Sequence, residues 1–353
     1  MAPKPAERST TQADKPLLSV LRGERRNPVP IWMMRQAGRY LPEYRQLRKD
    51  KGSFLDLVYD AEAAAEITLQ PLERFPELDA AIIFSDILIV PFAIGQNLTF
   101  IAGEGPRLTP ALVDSSLDDL TPFLARLEPI YQTIRNVRTR LARDKALIGF
   151  AGAPWTVATY MVAGEGSRDQ FDARRLAYAD PVRFGELVNR IERVTIEFLA
   201  GQIEAGVEAV QLFDSWAGTL SPHLFEHWVI APAARITASL RDRFPDVPVI
   251  GFPRGAGDKL AAYARETGVS AIALDETIDP AWASKALPPG LPLQGNLDPL
   301  ALLTGGETLA NDVRRILDAL ADRSHIFNLG HGIRQETPIA HVAELIALVK
   351  GER

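Results

Sequence analysis

The sequence alternates between short apolar runs and amphipathic segments from residue 29 almost to its end. Each run is continuously apolar, which is typical of strands buried on both faces of a parallel sheet. We predict eight strands, at residues 29–34, 80–84, 146–150, 209–213, 247–252, 271–274, 291–294 and 325–329.

Segments with helical periodicity separate these runs. They cover residues 61–75, 117–143, 181–205, 222–243, 257–266, 280–286, 307–320 and 338–349. Eight strand–helix units predict an α/β fold, a single (β/α)8 TIM barrel with its active-site cleft at the C-terminal ends of the strands. A doubly wound open sheet is the alternative, but no glycine-rich nucleotide-binding fingerprint follows the first strand. The Gly-rich stretch between residues 88 and 117 predicts a β-hairpin beside the barrel mouth.

Length and composition fit one globular domain. Of the 353 residues, we predict a disordered N-terminal tail at 1–16 and the barrel at 17–353. No apolar run is long enough to cross a bilayer, and the N-terminus lacks the apolar core of a signal peptide. Cysteine is absent, which excludes disulfides and thiolate-bound metals and favours a cytoplasmic location. A net charge of −6 argues against nucleic-acid partners.

The segment after the first predicted strand, residues 31–48, is rich in arginine. Arg35 and Arg39 are four residues apart, so on one helical turn they would project from the same side. Gly38 between them allows a ligand close to the backbone, and Pro42 favours an irregular turn over a regular helix. Arginine forks bind carboxylates with paired hydrogen bonds, although solvated or ion-paired arginines are the alternative interpretation. The cluster comprises Arg35, Arg39, Arg45 and Arg48.

Other polar side chains follow further predicted strands. Asp86 lies between two apolar runs, so it is either poised for chemistry or occupied as a helix cap or ion-pair partner. Tyr160 is a cleft residue or ordinary core. Ser215 contacts a ligand or caps the next helix, and His331, between glycines, faces a ligand or bonds to backbone.

A zinc signature of the form HxxEH also occurs, from His223 to His227. The pattern is short and follows Pro222 on a predicted outer helix, so we expect no metal there.

Six motifs together resemble the uroporphyrinogen decarboxylase family of haem biosynthesis. They are MRQAGRYLPEYR, AAIIFSDILIVP, GFAGAPWTVATYM, QLFDSWAG, LPLQGNLDP and NLGHGI, and the resemblance spans about residue 17 to 350. It implies a homodimeric barrel enzyme without cofactor or metal. The implied reaction removes the four acetate carboxyls of uroporphyrinogen III and gives coproporphyrinogen III and four molecules of carbon dioxide.

The resemblance also implies roles for individual residues. Asp86 accepts hydrogen bonds from the pyrrole N–H groups, and the proton donor stays open between Arg35, Tyr160 and a water molecule. Carboxylates of the substrate are bound by Arg35, Arg39 and Arg48, and the cleft is also lined by Tyr160, Ser215 and His331. The implied catalytic residues are Asp86, Arg35 and Tyr160. Arg254 matches no role in the family pattern.

Two other functions are compatible with parts of this sequence. Corrinoid-related methyltransferases share the barrel, but they generally hold zinc through Cys and His, and this chain has no Cys. A tetrapyrrole-binding protein without turnover would need the same arginines, and only the presence of both Asp86 and Tyr160 favours catalysis.

Overall fold

The computed structural model describes residues 14–101, 105–112 and 124–351. Seven parallel strands form one sheet, in which they follow one another in chain order. Their bounds are β1 (Ala80–Ile82), β4 (Ala146–Gly152), β5 (Ala209–Asp214), β6 (Val249–Pro253), β7 (Ala271–Ala273), β8 (Leu293–Gln294) and β9 (His325–Ile326). An antiparallel pair, β2 (Asn97–Ile101) and β3 (Gly105–Thr109), confirms the predicted hairpin.

The predicted first strand, residues 29–34, is reduced to one bridging residue, so its predicted length was wrong. Ile31 pairs in parallel with Phe327, and its carbonyl accepts a hydrogen bond of 2.9 Å from the N–H of Asp79. Ile31 therefore joins the two edges of the sheet and closes the barrel. Pro28 and Pro30 provide no N–H groups, which limits ladder pairing on this segment.

Side chains inside the ring provide independent support for closure. Trp32 Nε1 donates to Gln294 Oε1 (3.0 Å), and Gln294 Nε2 donates to Gln211 Oε1 (3.0 Å). These residues belong to the first, seventh and fourth strands of the ring, which are not neighbours, so the bonds cross the interior. All three side chains are fully buried. The predicted (β/α)8 architecture is confirmed.

Helices connect and surround the strands. In chain order they are α1 (Pro16–Leu21), α2 (Pro42–Lys51), α3 (Phe54–Tyr59), α4 (Ala61–Arg74), α5 (Ile89–Ala93), α6 (Glu128–Arg140), α7 (Pro154–Ala163), α8 (Phe171–Ala179), α9 (Pro181–Ala205), α10 (Pro222–Phe225), α11 (Ala231–Arg243), α12 (Leu260–Glu266), α13 (Pro280–Ala286), α14 (Pro299–Thr304), α15 (Gly306–Ala319) and α16 (Ile339–Lys350). A π-helical turn, Glu226–Ile230, joins α10 to α11. Within the described residues, no helix is long and apolar enough to cross a membrane.

Local capping explains why two predicted helices, α9 and α13, agree with the structure residue for residue. Each begins with Asp-Pro, in which the Asp side chain accepts a hydrogen bond from a backbone N–H of the first turn. Asp180 accepts from the N–H of Arg183 at 3.0 Å, and Asp279 accepts from that of Ala281 at 2.9 Å. The sequence therefore specifies these helix starts directly.

The described residues include the last three positions of the predicted tail, residues 14–16. Lys15 is buried and its Nζ lies 2.7 Å from Glu208 Oε1, and α1 begins at Pro16. The remainder of the predicted tail, residues 1–13, lies outside the described residues, as do residues 117–123 of the predicted helix 117–143.

A buried ion pair connects the last helix to the start of the barrel. Lys350 Nζ, on α16, lies 2.7 Å from Asp79 Oδ2, and both side chains are at most 12% exposed. Asp79 Oδ2 also accepts a hydrogen bond of 2.6 Å from the N–H of Ile31. One carboxylate thus joins the closing segment, the start of the second strand and the C-terminal helix.

Replacing Lys350 with Ala leaves the Asp79 carboxylate buried without its counter-charge. We expect the free energy of unfolding to fall by about 3 kcal/mol, measured by urea denaturation. The control is Lys285→Ala, which removes an exposed lysine from α13 and should change stability by less than about 0.5 kcal/mol. Equal losses of unfolding free energy for Lys350→Ala and Lys285→Ala would show that the ion pair between Lys350 and Asp79 does not stabilise the fold.

Candidate active site

A cleft of about 670 Å³ opens at the C-terminal ends of the strands. The structure brings together every site residue that the sequence predicted, although they are far apart in the chain. The cleft is lined by Arg35, Arg39, Arg48, Asp86, Tyr160, Ser215 and His331.

The turn after Ile31 is not helical, so the prediction that Arg35 and Arg39 share one helical turn was wrong. Arg35 has a positive φ of 62°, and the chain makes successive turns up to residue 41. The buried Gln36 side chain holds this shape, since it accepts from the N–H of Met33 (3.0 Å) and donates to the carbonyl of Ala80 (2.9 Å). Both arginines still line the cleft because the turn runs along its wall.

The prediction that Pro42 favours an irregular turn was also wrong, because Pro42 begins α2. Proline is tolerated in the first turn of a helix, where the missing N–H would have no partner. Helix α2 carries Arg48 to the cleft. Arg45 has another task, since its Nη1 donates to the carbonyls of Arg39 (2.9 Å) and Tyr40 (3.3 Å) and so holds the turn in place.

Arg35 occupies the electrostatic centre of the cleft. Burial raises the pKa of Asp86 and Tyr160 and lowers that of His331. The positive charge of Arg35 acts to lower the pKa of all three groups. Arg35 makes no hydrogen bond or ion pair within the described residues. A Cβ atom at Gly332 would lie only 2.4 Å from Arg35 Cδ, so the glycine makes room for this side chain. An arginine placed in this way is available to an anionic ligand.

Asp86 lies in the loop between β1 and α5. Its Oδ1 accepts a hydrogen bond of 2.8 Å from the N–H of Leu88, but α5 starts from Leu88 without a side-chain cap, so the capping alternative does not apply and Asp86 lines the cleft. Burial raises the pKa of Asp86, and the Leu88 N–H and Arg35 oppose that rise. The site therefore contains an enclosed carboxylate beside a cation.

Tyr160 and Ser215 face the cleft from neighbouring segments. Burial raises the pKa of Tyr160, a hydrogen bond with Trp216 opposes the rise, and the charge of Asp86 adds to it. Ser215 makes no capping hydrogen bond, because the following 3-10 turn, Ala217–Thr219, starts from Trp216 without a side-chain cap. The capping alternative for Ser215 therefore does not apply.

His331 contributes a neutral imidazole at pH 7. Burial and the charges of Arg35 and Arg254 lower its pKa to about 3. Arg254, whose role the sequence left open, does not line the cleft but pairs with Glu276 at 2.6 Å. Its effect on the site is therefore electrostatic and is exerted through His331.

An aromatic wall on one side of the cleft was not predicted. Phe54 lies 5.3 Å from Phe84 and 4.6 Å from Phe100, and Tyr44 lies 5.8 Å from Phe84, measured between ring centroids. These rings come from α2, α3, the loop after β1 and the hairpin. Only Phe84, at the end of an apolar run, carried a signal in the sequence.

Several polar groups at the cleft were also missed. The Ser85 and Tyr40 hydroxyls, like Nη1 of the predicted Arg48, are buried without a hydrogen-bond partner in the described part of the chain, and Arg334 lines the mouth. Because these three atoms lie at the cleft, they are available to a polar ligand.

Comparisons with known proteins show the family of this chain. Residues 12–351 match the family model described as uroporphyrinogen decarboxylase. The chain belongs to the uroporphyrinogen decarboxylase family. Curated relatives of that name include one from Rhizorhabdus wittichii, which is 62% identical over 351 residues. The alignment covers 99% of this chain and 100% of that relative. Another, from Novosphingobium aromaticivorans, is 60% identical, with 95% of this chain and 98% of the relative covered.

Solved structures show likeness of fold. A methyltransferase from Methanosarcina mazei superposes with a TM-score of 0.80 at 18% identity, covering 95% of this chain and 97% of that one. At such low identity the match supports the barrel and not the chemistry. Membership of the decarboxylase family therefore decides against the methyltransferase alternative.

The HxxEH residues lie away from the cleft. His223 and His227 are exposed, and their ring centroids are 6.4 Å apart. Among the residues that the structure describes, no group of three His, Cys, Asp or Glu side chains is placed to hold a metal ion.

Asp214, directly before Ser215, is a buried carboxyl that does not line the cleft. It accepts a hydrogen bond of 2.5 Å from Thr156 Oγ1, and its charge also acts on the buried Tyr263. Burial raises the pKa of Asp214 to about 7, and the bonds from Thr156 only partly oppose that rise.

The raised pKa makes stability depend on pH. Between about pH 4, the unfolded pKa of Asp, and about pH 7, the native state holds the proton that the unfolded state loses. Stability contributed by this group is thus complete below about pH 4 and falls as pH rises to about 7. We expect Asp214→Asn to flatten that decline in urea denaturation, whereas Asp242→Asn, at an exposed position, leaves it intact. Equal slopes for wild type and Asp214→Asn would show that Asp214 does not titrate in this range.

Proposed function

We propose that this cleft binds uroporphyrinogen III and removes its four acetate carboxyls to give coproporphyrinogen III, with the residue roles set out below. The observation that carries the proposal is an enclosed carboxylate, Asp86, next to Arg35, which has no carboxylate partner of its own within the described chain. Family membership supports the reaction, and the geometry supports the division of roles.

Charge complementarity accounts for substrate binding. The substrate carries eight carboxylates, and the cleft and its mouth present the guanidinium groups of Arg35, Arg39, Arg48 and Arg334. Guanidinium forks bind carboxylates with paired hydrogen bonds. The chain as a whole is negative, so this local cluster, not the overall field, attracts the substrate.

The aromatic wall supports the macrocycle. Tyr44, Phe54, Phe84 and Phe100 offer apolar faces to flat pyrrole rings, and the Arg48 guanidinium lies 5.8 Å from the centroid of the Phe54 ring. Asp86 then accepts hydrogen bonds from pyrrole N–H groups, which only an unprotonated carboxylate can do with both oxygens. Ser215 and His331 contact the peripheral carboxylates.

Decarboxylation requires a place for the electrons of the broken C–C bond. Protonation of a pyrrole carbon creates an iminium-like cation, which accepts those electrons as carbon dioxide leaves. The substrate thus provides its own electron sink, and the proposal requires no cofactor or metal. The ionised Asp86 stabilises the cation, and such electrostatic effects are large where water is largely excluded.

The proton comes from Tyr160, Arg35 or a bound water. The Tyr160 hydroxyl carries its proton at neutral pH, but burial raises its pKa, so it is a weaker acid than an ordinary tyrosine. An arginine is a weaker candidate because its pKa exceeds about 12. His331, which is neutral at this pH, serves as a hydrogen-bonding group and not as a cation.

The Asp86→Asn variant tests whether Asp86 stabilises the cationic intermediate. We expect the variant to fold normally and kcat to fall by a factor of about 100 or more, because the amide cannot neutralise the cation. Purified, chelator-treated protein is incubated anaerobically with uroporphyrinogen III, and the oxidised porphyrins are separated by carboxyl number. Wild type should yield seven-, six-, five- and then four-carboxyl products.

The control is Asp242→Asn, at an exposed position remote from the cleft. Turnover by Asp86→Asn close to that of this control would refute the role of Asp86. Binding of substrate by the folded wild type without any product would instead support a tetrapyrrole-binding protein.

We also propose a cytoplasmic homodimer. The absence of cysteine is compatible with a reducing compartment, and an exposed apolar patch supports self-association. Phe171 and Tyr178, which are 59% and 62% exposed, lie seven residues apart on one face of α8, and Val182 at the start of α9 is 73% exposed.

Tyr178→Asp places a charge in this patch. We expect wild type to sediment as a dimer at micromolar concentration and the variant to shift toward the monomer, because the charge must be desolvated at the interface. The control is Leu300→Asp, since Leu300 is also exposed (54%) but lies on α14. A dimer that both substitutions leave unchanged would place the interface elsewhere.

A further inference from the structure

One buried hydroxyl holds the strand end that carries Ser215. Thr156, in the first turns of α7, is fully buried and does not line the cleft. Its Oγ1 donates to Asp214 Oδ1 (2.5 Å) and accepts from the N–H of Trp216 (3.0 Å). The hydroxyl therefore bonds to the residue before Ser215 and to the residue after it.

This use of a threonine hydroxyl differs from the usual one. A Ser or Thr within a helix ordinarily bonds to a carbonyl of its own helix. Thr159, on the same helix and also buried, does so by donating to the carbonyl of Thr156 at 2.7 Å. The Thr156 hydroxyl instead donates to Asp214 and accepts from Trp216, both of which lie on another segment.

Other bonds between the same two segments reinforce the connection. Ala153 N–H donates to the carbonyl of Phe213 (2.8 Å), and Trp155 Nε1 donates to the carbonyl of Trp216 (3.1 Å). Tyr160 lies one turn after Thr156, and its ring centroid is 6.4 Å from that of Trp216. The spacing between Tyr160 and Ser215 is therefore set at this contact.

We propose that Thr156 is a positioning residue for the reaction, which fixes Ser215 and Tyr160 relative to each other without touching substrate. The inference rests on the proposed function, in which both of those residues contact the tetrapyrrole. Displacements of about 1 Å near a reacting group can lower rates by up to a factor of about 100, so the loss of one distant hydroxyl can have a measurable effect.

Thr156→Val removes the hydroxyl and keeps the shape of the side chain. We expect KM for uroporphyrinogen III to rise and kcat/KM to fall by a factor of about 10 or more, with seven- to five-carboxyl intermediates accumulating. Thr156→Ser, which retains the hydroxyl, should restore most of the activity. A merely structural role would lower the amount of active enzyme, and hence kcat, without changing KM.

The matched control is Thr159→Val, because it removes a buried hydroxyl from the same helix but breaks only a bond within that helix. A double-mutant cycle with Ser215→Ala should be non-additive, since Thr156 acts through Ser215. If Thr156→Val fails to fold, Trp155→Phe removes another bond to the same segment and should raise KM in the same direction.

The outcomes distinguish the positioning role of Thr156 from the proposed roles of Ser215 and Tyr160 in the cleft. Kinetics for Thr156→Val equal to those of Thr159→Val, or strict additivity with Ser215→Ala, would overturn the positioning role. Wild-type kinetics for both Ser215→Ala and Tyr160→Phe would overturn the proposed function of these two residues in the cleft, whatever Thr156 does.

Discussion

Closure of the barrel at Ile31 is the constraint on which the active site depends. This residue connects the two edges of the sheet through Phe327 and Asp79, and the turn carrying Arg35 and Arg39 follows it within a few residues. The arginines of this turn line the cleft together with Asp86, which lies in the loop after β1.

Burial and the charge of Arg35 together set the pKa values of the titratable groups in the cleft. Enclosure in apolar surroundings raises the pKa of Asp86 and lowers that of His331, and the charge of Arg35 opposes the first change and adds to the second. The Asp86 carboxylate, the Arg35 guanidinium and the neutral His331 imidazole therefore line the same cleft. Such an arrangement suits a polyanion that must pass through a cationic intermediate, because each developing charge meets a fixed group of the opposite sign.

Much of the fold followed from local signals. Continuous apolar runs predicted the parallel strands, and helical periodicity predicted α9 and α13, whose starts the structure shows to be capped by Asp180 and Asp279. The shape of the turn at Arg35 could not be predicted in this way. It depends on Gln36 bonding to the carbonyl of Ala80, and on Gly332, far along the chain, leaving space for the arginine side chain. Spacing of four residues indicated a helix there, but these long-range contacts impose a turn.

The sequence by itself determined the succession of strands, the starts of helices such as α9 and α13, the family motifs and many of the polar groups of the cleft, because periodicity, capping and residue type are local properties. Tertiary structure decided how those groups face one another. Phe54 and Phe100 became part of the cleft only because α3 and the hairpin bring the two rings together beside Phe84, and Thr156 became a link to Ser215 only because α7 packs on the end of β5. Contacts of this kind arise when distant segments are brought together by closure of the ring, and no local pattern records them.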